Sequence, residues 1–229
     1  MGRIGLIGTN SIEYITLLIE IWNNDDSAVL LDSRTPFQSA IQTMEEADVH
    51  KCFVEKGIYE INEEDMYSSI DFFVYEKQSN SAELLPKPLY EKFQNNYSKK
   101  EAVVIYSSGT TGKSKGIILS HFAINTNADS ISKYMNLNIS DCIYIAKPLN
   151  HSSTLIGELI VAIKNKGFIF HTPMHINIIG NCIPKLSKVG KNGPHNILGG
   201  LATAFSIISL ITCDLCLLES YSLSIYLFL

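Results

Sequence analysis

Positive charge is the first thing this sequence is short of. Lys and Arg number 18 against 23 Asp and Glu, a formal net charge of −5, with a pI near 5.7. Nucleic-acid binders usually carry the opposite balance, so that partner class is set aside. Cysteine is also scarce. Five in 229 residues make no disulfide framework, and Cys52, Cys142 and Cys182 stand alone, which fits a reducing compartment. Cys213-x-x-Cys216 has no second pair and lies in an apolar stretch, so it reads as small buried hydrophobes better than as a zinc site. His171 and His175 flank Pro173, which breaks the helix that a shared metal would need. The opening Met-Gly-Arg-Ile-Gly-Leu has no signal-peptide hydrophobic region and no Ser or Thr at position six for myristoylation. A cytoplasmic chain is expected. Internal repeats and low-complexity blocks are absent too.

What is present alternates strand and helix. Arg3 to Ile7 is a short apolar run followed by the Gly8-Thr9-Asn10 turn. Asn10 has the spacing to Glu13 of a helix cap, and Ile12, Ile15, Leu18, Ile19 and Trp22 then recur at helical period. Asn23 to Asp26 stops that helix, and Ala28 to Leu31 reads as a buried strand. Thr35-Pro36 predicts a second helix with Pro at its first position, running to about Ala47. Cys52 to Val54 and Ile70 to Tyr75 are further strands. Glu76 to Lys100 turns polar, with Pro86 and Pro88, and reads as a connector outside the core. Ala102 to Tyr106 is a strand, 107–115 a loop, and Gly116 to Leu119 a β-branched run. Ser120 caps a helix of roughly Phe122 to Met135. Ile143 to Ala146 is a strand, and Ser153 to Lys164 a helix with the apolar face Leu155, Ile156, Leu159, Ile160 and Ile163. The expected fold is α/β, with helices packed on a mainly parallel sheet.

The chemistry concentrates in Tyr106-Ser107-Ser108-Gly109-Thr110-Thr111-Gly112-Lys113-Ser114-Lys115-Gly116. Glycines let a backbone approach phosphate closely, successive N–H groups make an anion-binding concavity, and Lys115 adds a point charge. A flexible linker shares the Gly and Ser content, but not the strand directly ahead or the two lysines around Ser114. The triphosphatase loop G-x-x-x-x-G-K-[ST] fails here. Its first glycine falls on Ser107, and strand-like residues follow where a helix must begin.

The same stretch resembles the phosphate-loop signature of the adenylate-forming (AMP-binding) superfamily, which includes acyl-CoA synthetases and the adenylation domains of peptide synthetases. Its usual form is Y/F-T-S-G-S/T-T-G-x-P-K-G. Ser107 replaces the usual Thr and Ser114 the usual Pro. Residues 4 to 55 resemble the family's opening region, with Asn10-Ser11 ahead of a helix and the D-x-R-x-P turn at Asp32, Arg34 and Pro36. Pro148-Leu149-Asn150-His151-Ser152-Ser153 is similar to the P-L-x-H segment. His151 alone reads equally as a loop histidine ahead of a helix; the resemblance favours an acyl-pocket residue. The resemblance covers roughly residues 4 to 170. It implies layered β-sheets with flanking helices, forming part of the family's large N-terminal domain. It also implies a two-step reaction: ATP and a carboxylate give acyl-AMP and pyrophosphate, and a thiol of coenzyme A or phosphopantetheine takes the acyl group. Mg²⁺ accompanies the nucleotide. Ser107, Ser108, Gly109, Thr110, Thr111, Gly112 and Lys115 would hold the phosphates.

Several family motifs are missing from the sequence: the aromatic-Gly-x-Thr-Glu segment, the later Gly-Asp that holds ribose, and the Arg-x-x-x-x-Ile-Lys hinge. The chain thus reads as an incomplete adenylation domain over 1–170, with an atypical apolar tail over 171–229. No Asp, Glu, Lys or Arg occurs from Asn192 to Cys213. That tail reads first as out-of-frame or truncated sequence, second as a buried segment, and third as a membrane span centred on Ile197 to Cys213 behind Lys185, Lys188 and Lys191. Two functions compete: an incomplete ligase, whose missing parts a complementing chain would supply, and a non-catalytic interaction or membrane-associated protein.

Overall fold

The computed structural model describes residues 2–60, 69–78, 83–84, 86–107, 115–137, 142–145, 147–166 and 168–171. The loop residues 108–114 and the tail 172–229 lie outside them. A six-stranded sheet organises the fold. Its strands are β1 (Arg3–Gly8), β2 (Ser27–Asp32), β3 (Val49–Glu55), β4 (Asp71–Tyr75), β6 (Glu101–Ser107) and β7 (Lys115–Ser120), in the order β4-β3-β1-β2-β6-β7. Every pairing is parallel except the antiparallel β6–β7. A three-stranded sheet holds β5 (Glu83–Leu84), β9 (Phe168–His171) and β8 (Cys142–Ile145).

Central β2 is buried from Ser27 to Leu31, the unbroken apolar run expected of a strand covered on both faces. On one face lie α1 (Ile12–Asn23), α4 (His121–Tyr134), and a helical segment in three parts: α5 (Ser152–Thr154), a π-helical stretch (Leu155–Ile160) and α6 (Val161–Lys164). On the other face lies α2 (Phe37–Glu46), whose Ala40 and Met44 pack on Ile7, Val29 and Cys52. All five apolar residues expected between Leu155 and Ile163 are buried. Each fully buried Leu or Ile contributes about 1.5–3 kcal/mol. The helix was legible, but its π register was not, because apolar positions at this spacing fit either winding. The indole of Trp22 ties α1 to the sheet by donating to the Ala102 carbonyl at 2.8 Å.

Three local expectations need correction. Ser11, not Asn10, caps α1: its hydroxyl accepts from the Tyr14 N–H at 3.0 Å. Asn10 is engaged elsewhere, as described below. Pro36 sits one position before α2, with an extended ψ of 142°, and its carbonyl accepts from the Ala40 N–H. The polar stretch 76–100 also contributes to the core. It contains β5 and α3 (Lys87–Lys92), with Leu89 only 4% exposed. Its prolines are helix-start signals, and Phe93 meets Trp22 edge-on at 6.3 Å.

Candidate functional site

The carboxyl ends of β1, β2, β3, β4 and β6 share one edge of the sheet. In open parallel sheets, ligands bind beyond that edge where neighbouring connections leave to opposite faces. Here β1 leads to α1 on one face, and its neighbour β2 leads to α2 on the other. That crossover point lies between Gly8 and Asp32, one strand from the end of β6.

The first turn is fixed by a buried carboxylate. Glu55, 5% exposed, accepts from the Thr9 N–H at 2.7 Å and the Thr9 hydroxyl at 2.8 Å through one oxygen. Its other oxygen pairs with Lys77 Nζ at 2.8 Å, and Lys77 also reaches the Thr9 hydroxyl at 3.0 Å. Gly8 is required beside this network. A Cβ there would stand 1.9 Å from the Tyr75 hydroxyl and 3.1 Å from the Tyr14 ring. Burial pushes both phenols well above their usual range, so they act here as neutral packing groups.

Asn10 carries the turn's order to a segment 137 residues away. Its amide nitrogen donates to the Lys147 carbonyl at 2.8 Å, and its amide oxygen accepts from the Leu149 N–H at 3.0 Å. The next residue, Asn150, lies near enough to Asp32 at the end of β2 to help lower its carboxyl. Asp32 is held chiefly by Arg34: the guanidinium donates at 2.8 and 2.7 Å and the backbone N–H at 2.8 Å. These bonds bring its carboxyl down to about 2, against a smaller opposing effect of burial. The D-x-R-x-P turn is therefore a charge-assisted clasp.

His151 follows directly, exposed at the N-terminus of α5, with its carbonyl accepting from the Thr154 and Leu155 N–H groups. The flanks of the glycine-hydroxyl loop reach the same edge. Ser107 ends β6, and Lys115, exposed, faces it across the antiparallel pair. Leu30 and Ile105 are paired on β2 and β6, so Asp32 and Ser107, each two residues further on, end adjacent strands. Neighbouring strands lie about 4.8 Å apart, so both strand ends lie at the same part of the edge. Tyr106 and Gly116, the outermost residues of the motif, are cross-strand partners. A Cβ on Gly116 would press on the Tyr106 ring at 3.3 Å, so this glycine serves packing. Ser108, Gly109, Thr110, Thr111 and Gly112 lie outside the described residues.

Sequence reasoning missed Glu55, Lys77 and Asn150, and assigned Asn10 a different task. No local pattern links them, because each acts across long sequence separations. Glu158, in the π stretch, was missed as well. Burial drives its carboxyl up to about 8, partly offset by the positive charge of Lys147.

A helix-covered, mainly parallel sheet whose neighbouring connections leave to opposite faces, with Ser107 and Lys115 at its carboxyl edge, defines an α/β domain of the kind that binds small molecules at that edge. The AMP-binding enzyme family model matches residues 2–174, and the chain belongs to that family. Over 167 residues it is 30% identical to the 2-succinylbenzoate–CoA ligase of Bacillus cereus strain Q1, covering 71% of this chain and 31% of that protein. The corresponding ligase of Bacillus anthracis strain A0248 is 29% identical over the same length. The chain thus spans about a third of the length of the curated relatives it matches. Among solved structures, O-succinylbenzoate coenzyme A synthetase from Bacillus subtilis in complex with AMP superposes with a TM-score of 0.64 at 15% identity, covering 82% of this chain and 46% of that one. ATP-bound MatB from Rhodopseudomonas palustris superposes at 0.63 and 15% identity, covering 84% and 38%. These likenesses bear out the expected fold, a mixed sheet with flanking helices.

Proposed function

We propose that this chain is the amino-terminal portion of an ATP-dependent acid–thiol ligase. The complete reaction joins a carboxylic acid to AMP with release of pyrophosphate, then passes the acyl group to a thiol of coenzyme A or phosphopantetheine. One observation carries the reading: the flanks of the phosphate-type motif and the segment leading to His151 stand at one edge of the sheet, the latter held there by Asn10.

In this reading Ser107, Ser108, Gly109, Thr110, Thr111, Gly112 and Lys115 hold the β- and γ-phosphates, and His151 lines the acid's pocket. The work is positioning and electrostatic stabilisation while the carboxylate attacks the α-phosphate. Backbone and hydroxyl donors neutralise charge on the departing pyrophosphate, and Lys115 adds a fixed positive charge.

Mg²⁺ accompanies the nucleotide in this chemistry. Among the described residues no group of three His, Cys, Asp or Glu side chains stands together to hold a metal, and the sequence lacks the aromatic-Gly-x-Thr-Glu motif. Such an ion is held mainly by phosphate oxygens and water with one or two carboxylates, and no step is assigned to it. Residues 1–170 make the partial adenylation domain, and the setting is cytoplasmic. Among the described residues no helix is long and apolar enough to cross a membrane; the stretch from Ile197 to Cys213 lies outside them.

The test is paired. Equilibrium dialysis with ATP should show binding, and the same preparation with ATP and a panel of acids should form no acyl-adenylate. Absence of ATP binding would overturn the site, and acyl-adenylate formation would overturn the incompleteness.

A further inference from the structure

At the opposite, amino edge of the sheet lies a cavity of about 190 Å³ that the proposed reaction does not use. Helix α1 starts at the carboxyl edge and delivers Trp22 to this end, about 15 Å away at 1.5 Å per residue. Trp22 lines the cavity together with Phe93 and His121, and Gln94, Asn95 and Asn96 form much of the remaining wall. Trp22 and His121 are 8% and 5% exposed, whereas Gln94 and Asn95 are exposed. The cleft therefore has an aromatic floor and an amide rim. Both neighbouring rings stand steeply on the indole, Phe93 at 68° with centroids 6.3 Å apart and His121 at 74° and 5.9 Å.

Its polar groups are neutral and uncommitted. None of the lining residues is Asp, Glu, Lys or Arg. Burial pushes the His121 imidazole below its usual pKa, against the charge of Asp25 and with that of Lys100, so the ring is uncharged at neutral pH. Among the described residues, that imidazole and the side-chain amides of Gln94 and Asn95 have no hydrogen-bond partner. A buried imidazole ordinarily finds one; this one opens on the cleft instead. The imidazole offers one donor and one acceptor, and each amide offers both. An occupant with a donor and an acceptor on its rim pairs with these groups, and a flat face packs on the rings. A carboxylate or phosphate would meet no cation in the lining and would lose its hydration. The volume falls below the roughly 300–1,000 Å³ of a drug-sized site, which limits the occupant to one small ring system.

We infer that this cleft is a second small-molecule site, separate from the phosphate-type edge, for an uncharged nitrogen heterocycle that carries a donor and an acceptor on its rim. It stands at the foot of the β6–β7 hairpin. The Trp22 indole donates to the Ala102 carbonyl near the start of β6, and His121 follows directly on β7. The phosphate-type motif lies at the hairpin's far end.

Trp22 is the chain's single tryptophan, so its fluorescence reports on the cleft directly. The experiment titrates the whole chain with nicotinamide, and with nicotinate, which has the same ring but a negative carboxylate. Glucose serves as a neutral polar probe without a flat face. Saturable quenching is expected with nicotinamide, at a Kd at least about tenfold below those of nicotinate and glucose. His121→Phe keeps a ring against Trp22 and removes its donor and acceptor; it should weaken nicotinamide binding about threefold or more. The double variant Gln94→Ala, Asn95→Ala changes exposed rim residues only and should weaken it similarly, and thermal melting confirms that both proteins are folded. Saturating ATP should leave the nicotinamide titration unchanged. Absence of saturable quenching by nicotinamide overturns the inference, as does equal or tighter binding of nicotinate or glucose, or an affinity unchanged in both variants. Competition by ATP overturns it too, because the nucleotide itself would then occupy this cleft.

Discussion

Replacing Glu158 by Gln should stabilise the fold at alkaline pH and leave it nearly unchanged at acid pH. Burial raises the Glu158 carboxyl from 4.5 to about 8, so the folded state retains a proton that the unfolded chain releases near pH 4.5. Where the native state binds more protons than the unfolded state, stability falls as pH rises. The loss therefore begins near pH 4.5, grows through neutrality, and is complete above pH 8. At 1.36 kcal/mol per unit the shift corresponds to a ceiling of roughly 5 kcal/mol. Water reaches this partly exposed side chain and screens the charge, which reduces the expected cost to about 1–3 kcal/mol. Gln has the same shape and never ionises. Urea unfolding of both proteins at pH 5 and pH 9 isolates the effect, because every other titrating group cancels in the difference. The variant should match the wild type within about 1 kcal/mol at pH 5 and exceed it by about 1–3 kcal/mol at pH 9. An identical difference at the two pH values would show that Glu158 ionises as in water, and the reasoning would fail.

Two further substitutions probe the frame of the site. Gly8→Ala forces the Tyr75 ring away from the end of β1, where its hydroxyl would lie 1.9 Å from the new Cβ; a loss of about 1–3 kcal/mol in urea unfolding is expected, and a neutral result would mean that Tyr75 has room to move. Asn10→Ala strips the partners from the Lys147 carbonyl and Leu149 N–H; it should cost about 2–4 kcal/mol and speed hydrogen exchange at Leu149, and unchanged exchange there would refute the clamp.

The frame was legible because its signals are local. The apolar run of β2, the helical period of α1 and the Ser120 cap each lie within a dozen residues, and each folded as its pattern indicates. The strands that flank the glycine-hydroxyl motif were legible as well, since apolar and β-branched runs bracket it directly and pair as β6 and β7. Failures came where long-range partners outcompete local ones. Asn10 has the spacing of a cap, but two backbone groups near residue 148 engage it more fully, and neighbouring Ser11 takes the cap instead. Leu89 and Phe93 sit in a polar stretch, yet two apolar residues four apart suffice to dock one helical turn on Trp22. Glu158 carried no signal in the sequence, because its burial depends on tertiary packing that no sequence window contains.

The central claim is that the loop between β6 and β7 holds a nucleotide's phosphates, and Lys115→Ala tests it most directly. Lys115 is exposed, so the substitution should leave the melting temperature within about 1 °C of the wild type, as surface changes usually do. One charge-assisted contact to phosphate contributes about 1.5–3 kcal/mol, or roughly a 10- to 100-fold change in Kd. Titration calorimetry with ATP should show that weakening in Lys115→Ala. Equal ATP affinity in the two proteins would place the phosphates elsewhere and contradict the account.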